Sequence, residues 1–273
     1  MPASRIRYAR LATERANSRS RALDRMTPGA IAALMNREDR RAVAAVGRVR
    51  REIASAVKLV VAALARGGRL FFVGAGTSGR LGVIEAAECP PTFGTPPRLV
   101  QAIIAGGRGA VFRSREGAED DERSARRAVR RRVRRGDVVV GISASGVTPF
   151  VRAGLAAARG QGAATVLVAC NAEGVRAARS AARLRVVPLT GPEVLAGSTR
   201  LKAGTATKLV LNTITTAAMT GLGRVYGNRM IDLQPRSAKL YERALRLVTD
   251  LGGVSRGRAR TALKASRGRV RVA

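Results

Sequence analysis

Five short apolar runs constrain this chain more than any other feature. Arg69 to Val73 closes at Gly74, Leu99 to Ile104 at Gly106-Gly107, and Asp137 to Ile142 at Ser143; Thr165 to Ala169 and Leu184 to Leu189 follow. Runs of this length without polar alternation are strands buried on both faces. Helical segments fall between most of them, at about 78–87, 122–135, 148–159 and 174–182, and a longer one follows at about 199–222. Strand alternating with helix predicts an α/β fold: an open parallel sheet with helices on both faces.

Helical segments are also expected at both ends. Thr27-Pro28 reads as an N-cap with proline in the first turn, opening a helix to about Met35. A second helix is expected from about Arg40 to Arg66, stopped by Gly67-Gly68. Residues 1–25 are polar and Arg-rich and read as an arm; 236–249 read as a helix and 255–273 as a basic, partly helical end. The chain therefore divides into an N-terminal arm and helix (1–45), a sheet domain (46–225) and a C-terminal helical tail (226–273).

Composition excludes several chemistries. With 46% hydrophobic residues over 273, the chain can bury a substantial core. There is no histidine, which rules out Ser-His-Asp and Cys-His catalysis. Cys89 and Cys170 stand alone and cannot build a zinc site, so no metal is expected. So few cysteines fit a reducing, cytoplasmic setting. The N-terminus has charges but no apolar signal core, and the most apolar stretch, Val57 to Ala65, contains Lys58 and is too short to span a bilayer.

Charge is the other outlier: 51 Lys+Arg against 18 Asp+Glu gives +33. Only five of the bases are lysine, and arginines lie on nearly every expected helix rather than in one patch. In the basic stretch 126–135, about 100° per residue spreads the arginines around the helix. Aromatics make up 3%, too few for a base-stacking surface. Nucleic-acid binding is expected to be non-specific and confined to low salt.

Open parallel sheets bind ligands at the carboxyl ends of their strands. After the first strand comes Gly74-Ala75-Gly76-Thr77-Ser78-Gly79, a G-x-G-x-x-G match. A dinucleotide site would want an acid after the second strand, where Ala105-Gly106-Gly107-Arg108 stands instead. Thr77, Ser78 and Gly79 point rather to a phosphate monoester at a helix N-terminus. After the third strand, Ser143-Ala144-Ser145-Gly146-Val147-Thr148-Pro149 forms a second hydroxyl-rich cradle. Ser198, Thr199 and Lys202 add hydroxyls and a cation at the start of the long helix. Each loop could also be simple capping. The acids are scarce, yet Glu116, Glu119, Asp120, Asp121 and Glu122 fall together, and Glu85 and Glu88 follow the first loop. Acids at a helix start complement its dipole, which covers Asp120 to Glu122. Glu88, in the turn-like setting Cys89-Pro90-Pro91, is left to pair with a carboxyl after the second strand as acid and base.

These segments resemble the N-acetylmuramic acid 6-phosphate etherase family, of the sugar isomerase (SIS) domain type. The resemblance rests on GAGTSGRLGVIEAAECPPTFGTPP (74–97), IAGG and EGAEDD within 104–121, VVVGISASGVTPFV (138–151) and GPEVLAGSTRLKAGTATKLVLN (191–212). TERANSRSRALD (13–24) and RVYGNRMIDL (224–233) share it. It implies an SIS-type sheet, a homodimer with its site near the subunit interface, and no cofactor. It also implies removal of the D-lactyl ether from N-acetylmuramate 6-phosphate by elimination from the ring-opened sugar, then addition of water. By motif match Glu88 of ECPP is the proton donor and Glu119 of EGAED the base. Thr77, Ser78, Gly79, Ser143, Ser145, Gly146, Thr148, Ser198, Thr199 and Lys202 are expected to bind the substrate and its phosphate. This chain has Val147 where the family usually has a basic residue, and its tail reads as a shortened form of the family's C-terminal helical region. The alternative is a non-catalytic SIS regulator that binds sugar phosphates, similar to glucokinase regulatory protein, or one associated with nucleic acid, similar to SIS-type transcription regulators. Glu88 and Glu119 speak against the first, and the short N-terminal segment against the second. ECPP and EGAED likewise separate the chain from sugar-phosphate isomerases.

Overall fold

A computed structural model describes residues 11–178, 181–235 and 237–273. The expected strands form β1 (Leu70–Gly74), β2 (Val100–Ile104), β3 (Val138–Ile142), β4 (Ala164–Val168) and β5 (Leu184–Val186). They pair in parallel in the order β2-β1-β3-β4-β5. The order reverses between β1 and β3, which are neighbours, so the loops leaving them diverge from adjacent strand ends.

Successive side chains of a strand face opposite ways, and each set meets its own helices. Leu70, Phe72, Val138, Val140, Ile142, Val166 and Val168 share one core with residues of α2 (Arg50–Ala65), α3 (Gly76–Phe93) and α8 (Lys202–Gly221). Phe71, Val73, Val139 and Leu167 form the other core, with α5 (Glu122–Arg132) and α6 (Pro149–Gly160). Short helices α4 (Gly109–Phe112) and α7 (Ala172–Ala177) fill connections. A small hairpin of β6 (Val225–Tyr226) and β7 (Arg229–Met230) leads to α9 (Ala238–Gly252) and α10 (Arg256–Ala265), whose apolar faces make a separate small cluster around Leu245, Val248 and Leu263. Among the described residues no helix is long and apolar enough to cross a membrane.

Three expectations change. The N-terminal helix does not stop near Met35: α1 runs from Pro28 to Arg48, and the break before α2 falls at Val49. The polar stretch Asn36 to Asp39 resembles a terminus in sequence, but Glu38 within it is buried against Lys202, so the helix carries it inward. Secondly, Cys89-Pro90-Pro91 is not a turn. α3 continues through both prolines, which lie in its last turn, and ends at Gly94 with φ +62. Thirdly, residues 11–25 are not a free arm. They form three 3₁₀ turns that bury Leu11, Thr13, Asn17 and Ser20. Residues 1–10 of the expected arm, residues 179 and 180 of the expected 174–182 helix, and Arg236 of the expected 236–249 helix lie outside the described residues.

Candidate active site

The first turn of α3 follows β1 directly. Gly74 and Gly79 let strand and helix approach: a Cβ on Gly79 would lie 2.6 Å from Ile104 Cγ1 and 2.8 Å from the Gly74 carbonyl oxygen. No side chain caps the N-terminus of α3, nor that of α6 after β3. The unpaired N–H groups at both ends are therefore open to an anion.

Ser143 explains why α6 is uncapped. Its buried hydroxyl lies 2.8 Å from Thr148 Oγ1 and accepts from the Gly146 N–H at 3.0 Å, so it shapes the loop from beneath. The Val147 N–H donates to Ser145 Oγ at 3.3 Å. Gly146 stands at φ +78, and the loop rests on α7 so closely that a Cβ on Gly174 would lie 1.9 Å from the Ser145 carbonyl oxygen.

A cavity of about 300 Å³ lies between these loops. Its polar lining is Thr77 and Ser78, Ser145 and Thr148, Thr199, and the carboxyls Glu14, Glu119 and Asp120. An adjoining space of about 150 Å³ shares Glu119 and adds Arg80, Arg115 and Glu116. Glu119 is a residue of the 3₁₀ turn Ala118–Asp120. Burial raises its pKa above the ordinary carboxylate value, and the charges of Asp120 and Glu116 raise it further. Such a group suits a base that must hold a proton during part of a reaction cycle. A larger cavity, about 630 Å³, lies between Gly94, residues 231–235 and residues 267–272. Its carboxyl, Asp232, is committed to Arg224 and Arg271.

Of the expected residues, Thr77, Ser78, Ser145, Thr148, Thr199 and Glu119 line this cavity. Gly79, Ser143, Gly146 and Ser198 do not; the first three shape the loops around it. Lys202 is likewise not in the lining. Its ammonium is buried 2.5 Å from Glu38, because α8 begins against α1 rather than over the cavity. The α8 N-terminus is also occupied: the buried carboxylate of Glu193 accepts the backbone N–H groups of Lys202 and Ala203, each at 2.9 Å. Burial nevertheless leaves the Glu193 carboxyl raised.

Glu85 and Glu88 diverge. Glu85 is buried and accepts hydrogen bonds from Asn212 and Thr215, tying α3 to α8. Glu88 is exposed and does not line the cavity; twelve residues after Gly76, it lies about 18 Å along the helix axis from the first turn. Both thiols are inert: burial pushes Cys89 and Cys170 up to about 12. Sequence reasoning missed Glu14 and Glu193. Glu14 sits far from either loop in sequence, and Glu193 differs in no local pattern from a surface acid.

Hydroxyls and open helix N-termini at the switch point of a parallel sheet suit a phosphate-bearing ligand. In agreement, residues 52–159 match the family model of the glucokinase regulatory protein N-terminal SIS domain. Solved structures share the fold: a phosphoheptose isomerase from Francisella tularensis (TM-score 0.55, 15% identity, 73% of this chain and 98% of that one), and a protein of E. coli CFT073 (TM-score 0.52, 18% identity, 74% and 97%). Closer similarity is to whole enzymes. The chain is 51% identical to the N-acetylmuramic acid 6-phosphate etherase of Picosynechococcus sp. over 96% of its own length and 87% of the relative's. It is 52% identical to that of Geobacillus thermodenitrificans over 96% and 89%. The chain belongs to the N-acetylmuramic acid 6-phosphate etherase family.

Proposed function

We propose that this protein cleaves the D-lactyl ether of N-acetylmuramate 6-phosphate, giving N-acetylglucosamine 6-phosphate and D-lactate, as a cytoplasmic enzyme of amino sugar recycling. The observation that carries the reading, beside family membership, is the convergence of Glu119 with two uncapped helix N-termini in one cavity. The 6-phosphate lies against Ser145, Thr148 and the first N–H groups of α6, with Thr77 and Ser78 beside it. Glu119 then takes the C2 proton, acidified by the aldehyde of the ring-opened sugar. The C2–C3 double bond forms as the C3–O bond breaks, and lactate leaves with a proton from the acid. Water then adds across the double bond, hydroxyl to C3 and proton to C2. No metal or redox partner enters this sequence.

The acid is Glu88, delivered from a second copy. Its distance along α3 keeps it from its own chain's cavity, and it stands one turn from Ile84, an apolar side chain 55% exposed on the same helical face. A homodimer using that face supplies Glu88 across the interface. The test is incubation with N-acetylmuramate 6-phosphate and enzymatic measurement of D-lactate. Release of D-lactate is expected. Sugar phosphate binding without release would favour the second reading, a non-catalytic SIS regulator, to which the match with the glucokinase regulatory protein domain lends support.

A further inference from the structure

Glu14 is the one carboxyl of the cavity supplied by the N-terminal segment. Two anchors three residues to either side hold it there. Leu11 is buried in a small apolar cluster with Val147 and Ala178, so the segment grips the loop between β3 and α6. Asn17 is buried and donates to Glu38 Oε2 at 2.9 Å and to the Pro192 carbonyl at 3.3 Å. Between them the Thr13 carbonyl accepts the Gly197 N–H at 3.0 Å, and Thr13 Oγ1 donates to Glu14 Oε1 at 3.2 Å. Oε2 is 3.3 Å from the point where a Cβ on Gly197 would stand, and among the described residues it accepts no hydrogen bond. The neighbouring Arg15 turns to Glu173, at 3.1 Å, and leaves Glu14 its charge.

A carboxylate only accepts, and it repels a phosphate dianion. The hydroxyls and N–H groups of the cavity are donors suited to phosphate, so Glu14 has a different client. Sugar hydroxyls and an amide N–H are donors, and their bonds to a charged acceptor are the stronger kind. We propose that Glu14 is a positioning and specificity residue, accepting hydrogen bonds from the sugar at the end of the ligand away from its phosphate. This makes the N-terminal segment one wall of the substrate site and rests on the reading that the cavity takes a sugar phosphate. It also gives Val147 a use: where the family usually carries a base, this chain has an apolar anchor for the segment that presents Glu14.

The experiment is calorimetric titration of the full chain, wild type, Glu14→Gln and Glu14→Ala, with N-acetylglucosamine 6-phosphate and with inorganic phosphate. Glu14 is exposed, so the fold is not at stake, and matching thermal unfolding verifies this. Both variants should bind the sugar phosphate about 10- to 100-fold more weakly, the loss expected for a hydrogen bond to a charged group. Both should bind inorganic phosphate as well as wild type or slightly better, having lost a repelling charge. In turnover, KM should rise, while exchange of the C2 proton at saturating substrate persists because Glu119 is intact. Unchanged sugar phosphate affinity overturns the proposal. Equal weakening of both ligands does so too, showing that Glu14 merely holds the phosphate loop. If wild type itself prefers the sugar phosphate no more than phosphate, the reading of the cavity falls and Glu14 with it. If wild type binds the sugar phosphate well but releases no D-lactate, only the etherase reading fails.

Discussion

At the scale of single residues, Glu119 is a carboxyl of the cavity whose pKa its surroundings raise. Burial raises its pKa first, and the charge of Asp120 next to it second. As the proposed base, Glu119 works ionised, so activity should fall as pH drops through its raised pKa. Asp120→Asn removes one of the charges opposing ionisation. The acidic limb of the kcat/KM profile for D-lactate release should therefore move to lower pH. Glu119→Gln should abolish both C2 exchange and lactate release, a loss of about 10²–10⁴ in rate. A limb that stays in place in Asp120→Asn would mean that another group titrates there.

Among the elements, α1 and α8 meet through a buried ion pair that also reaches the N-terminal segment. Glu38 of α1 holds Lys202 of α8 at 2.5 Å and Asn17 at 2.9 Å, with Arg41 and Arg19 farther out at 3.5 and 3.6 Å. Burial pushes the Glu38 carboxyl up, but Lys202, Asn17 and Arg41 more than offset this and leave it below its ordinary value. A carboxyl with a lowered folded pKa contributes stability that is present above its unfolded value and lost as pH falls through the folded one. Lys202→Met strands Glu38 and should destabilise the fold at neutral pH by about 3–5 kcal/mol. In the variant the burial cost of Glu38 is no longer offset, so protonation relieves it, and the deficit should shrink as pH is lowered. Urea unfolding of both proteins at neutral and mildly acidic pH measures this. Replacing Glu38 as well, with leucine, should restore much of the loss. A single variant as stable as wild type would show that the pair carries no net stabilisation.

Over the whole molecule the question is what a net charge of +33 does. α5 shows the pattern. Ala125 and Val129 are buried, while Arg126, Arg127, Arg130, Arg131 and Arg132 occupy the remaining faces. Arg126 pairs with Glu122 at 2.5 Å, and Arg132 lies over the Phe71 ring and donates to the Ala102 carbonyl at 3.1 Å. On this helix the arginines thus spread around the exposed sides instead of forming one stripe, while Lys239, Arg243, Arg246 and Arg256 gather around a cavity beside α9, where Glu242 pairs with Arg256. Duplex DNA should bind at low salt without regard to sequence, and lose orders of magnitude in affinity between about 50 and 200 mM salt. A salt titration with two unrelated duplexes checks this. Tight binding to one of them at physiological salt would favour the regulator reading.

The sequence by itself determined the elements and the chemistry available to them. Short apolar runs marked all five strands of the main sheet, most plainly β1 and β3, because a strand buried on both faces cannot hide its composition; at the sheet edge β5 leaves Arg185 exposed and ends at Val186, short of the expected Leu189. The hydroxyls of Thr77, Ser78, Ser145, Thr148 and Thr199 were legible because ligand loops follow strands in such sheets. Only the tertiary structure decided which way side chains in those loops turn. Ser143 and Ser145 are two residues apart, yet one props the loop and the other faces the cavity. Lys202, four residues after Ser198, is claimed by Glu38 from a helix 164 positions away in sequence. Cys89-Pro90-Pro91 reads as a turn locally, but the helix tolerates both prolines in its last turn before Gly94. Glu14 joins the cavity only because Leu11 and Asn17 pin its segment across the sheet edge. Local sequence sets backbone preference and the burial of whole faces. Long-range packing sets the direction of each polar side chain, because its partners come from segments that no local pattern brings together.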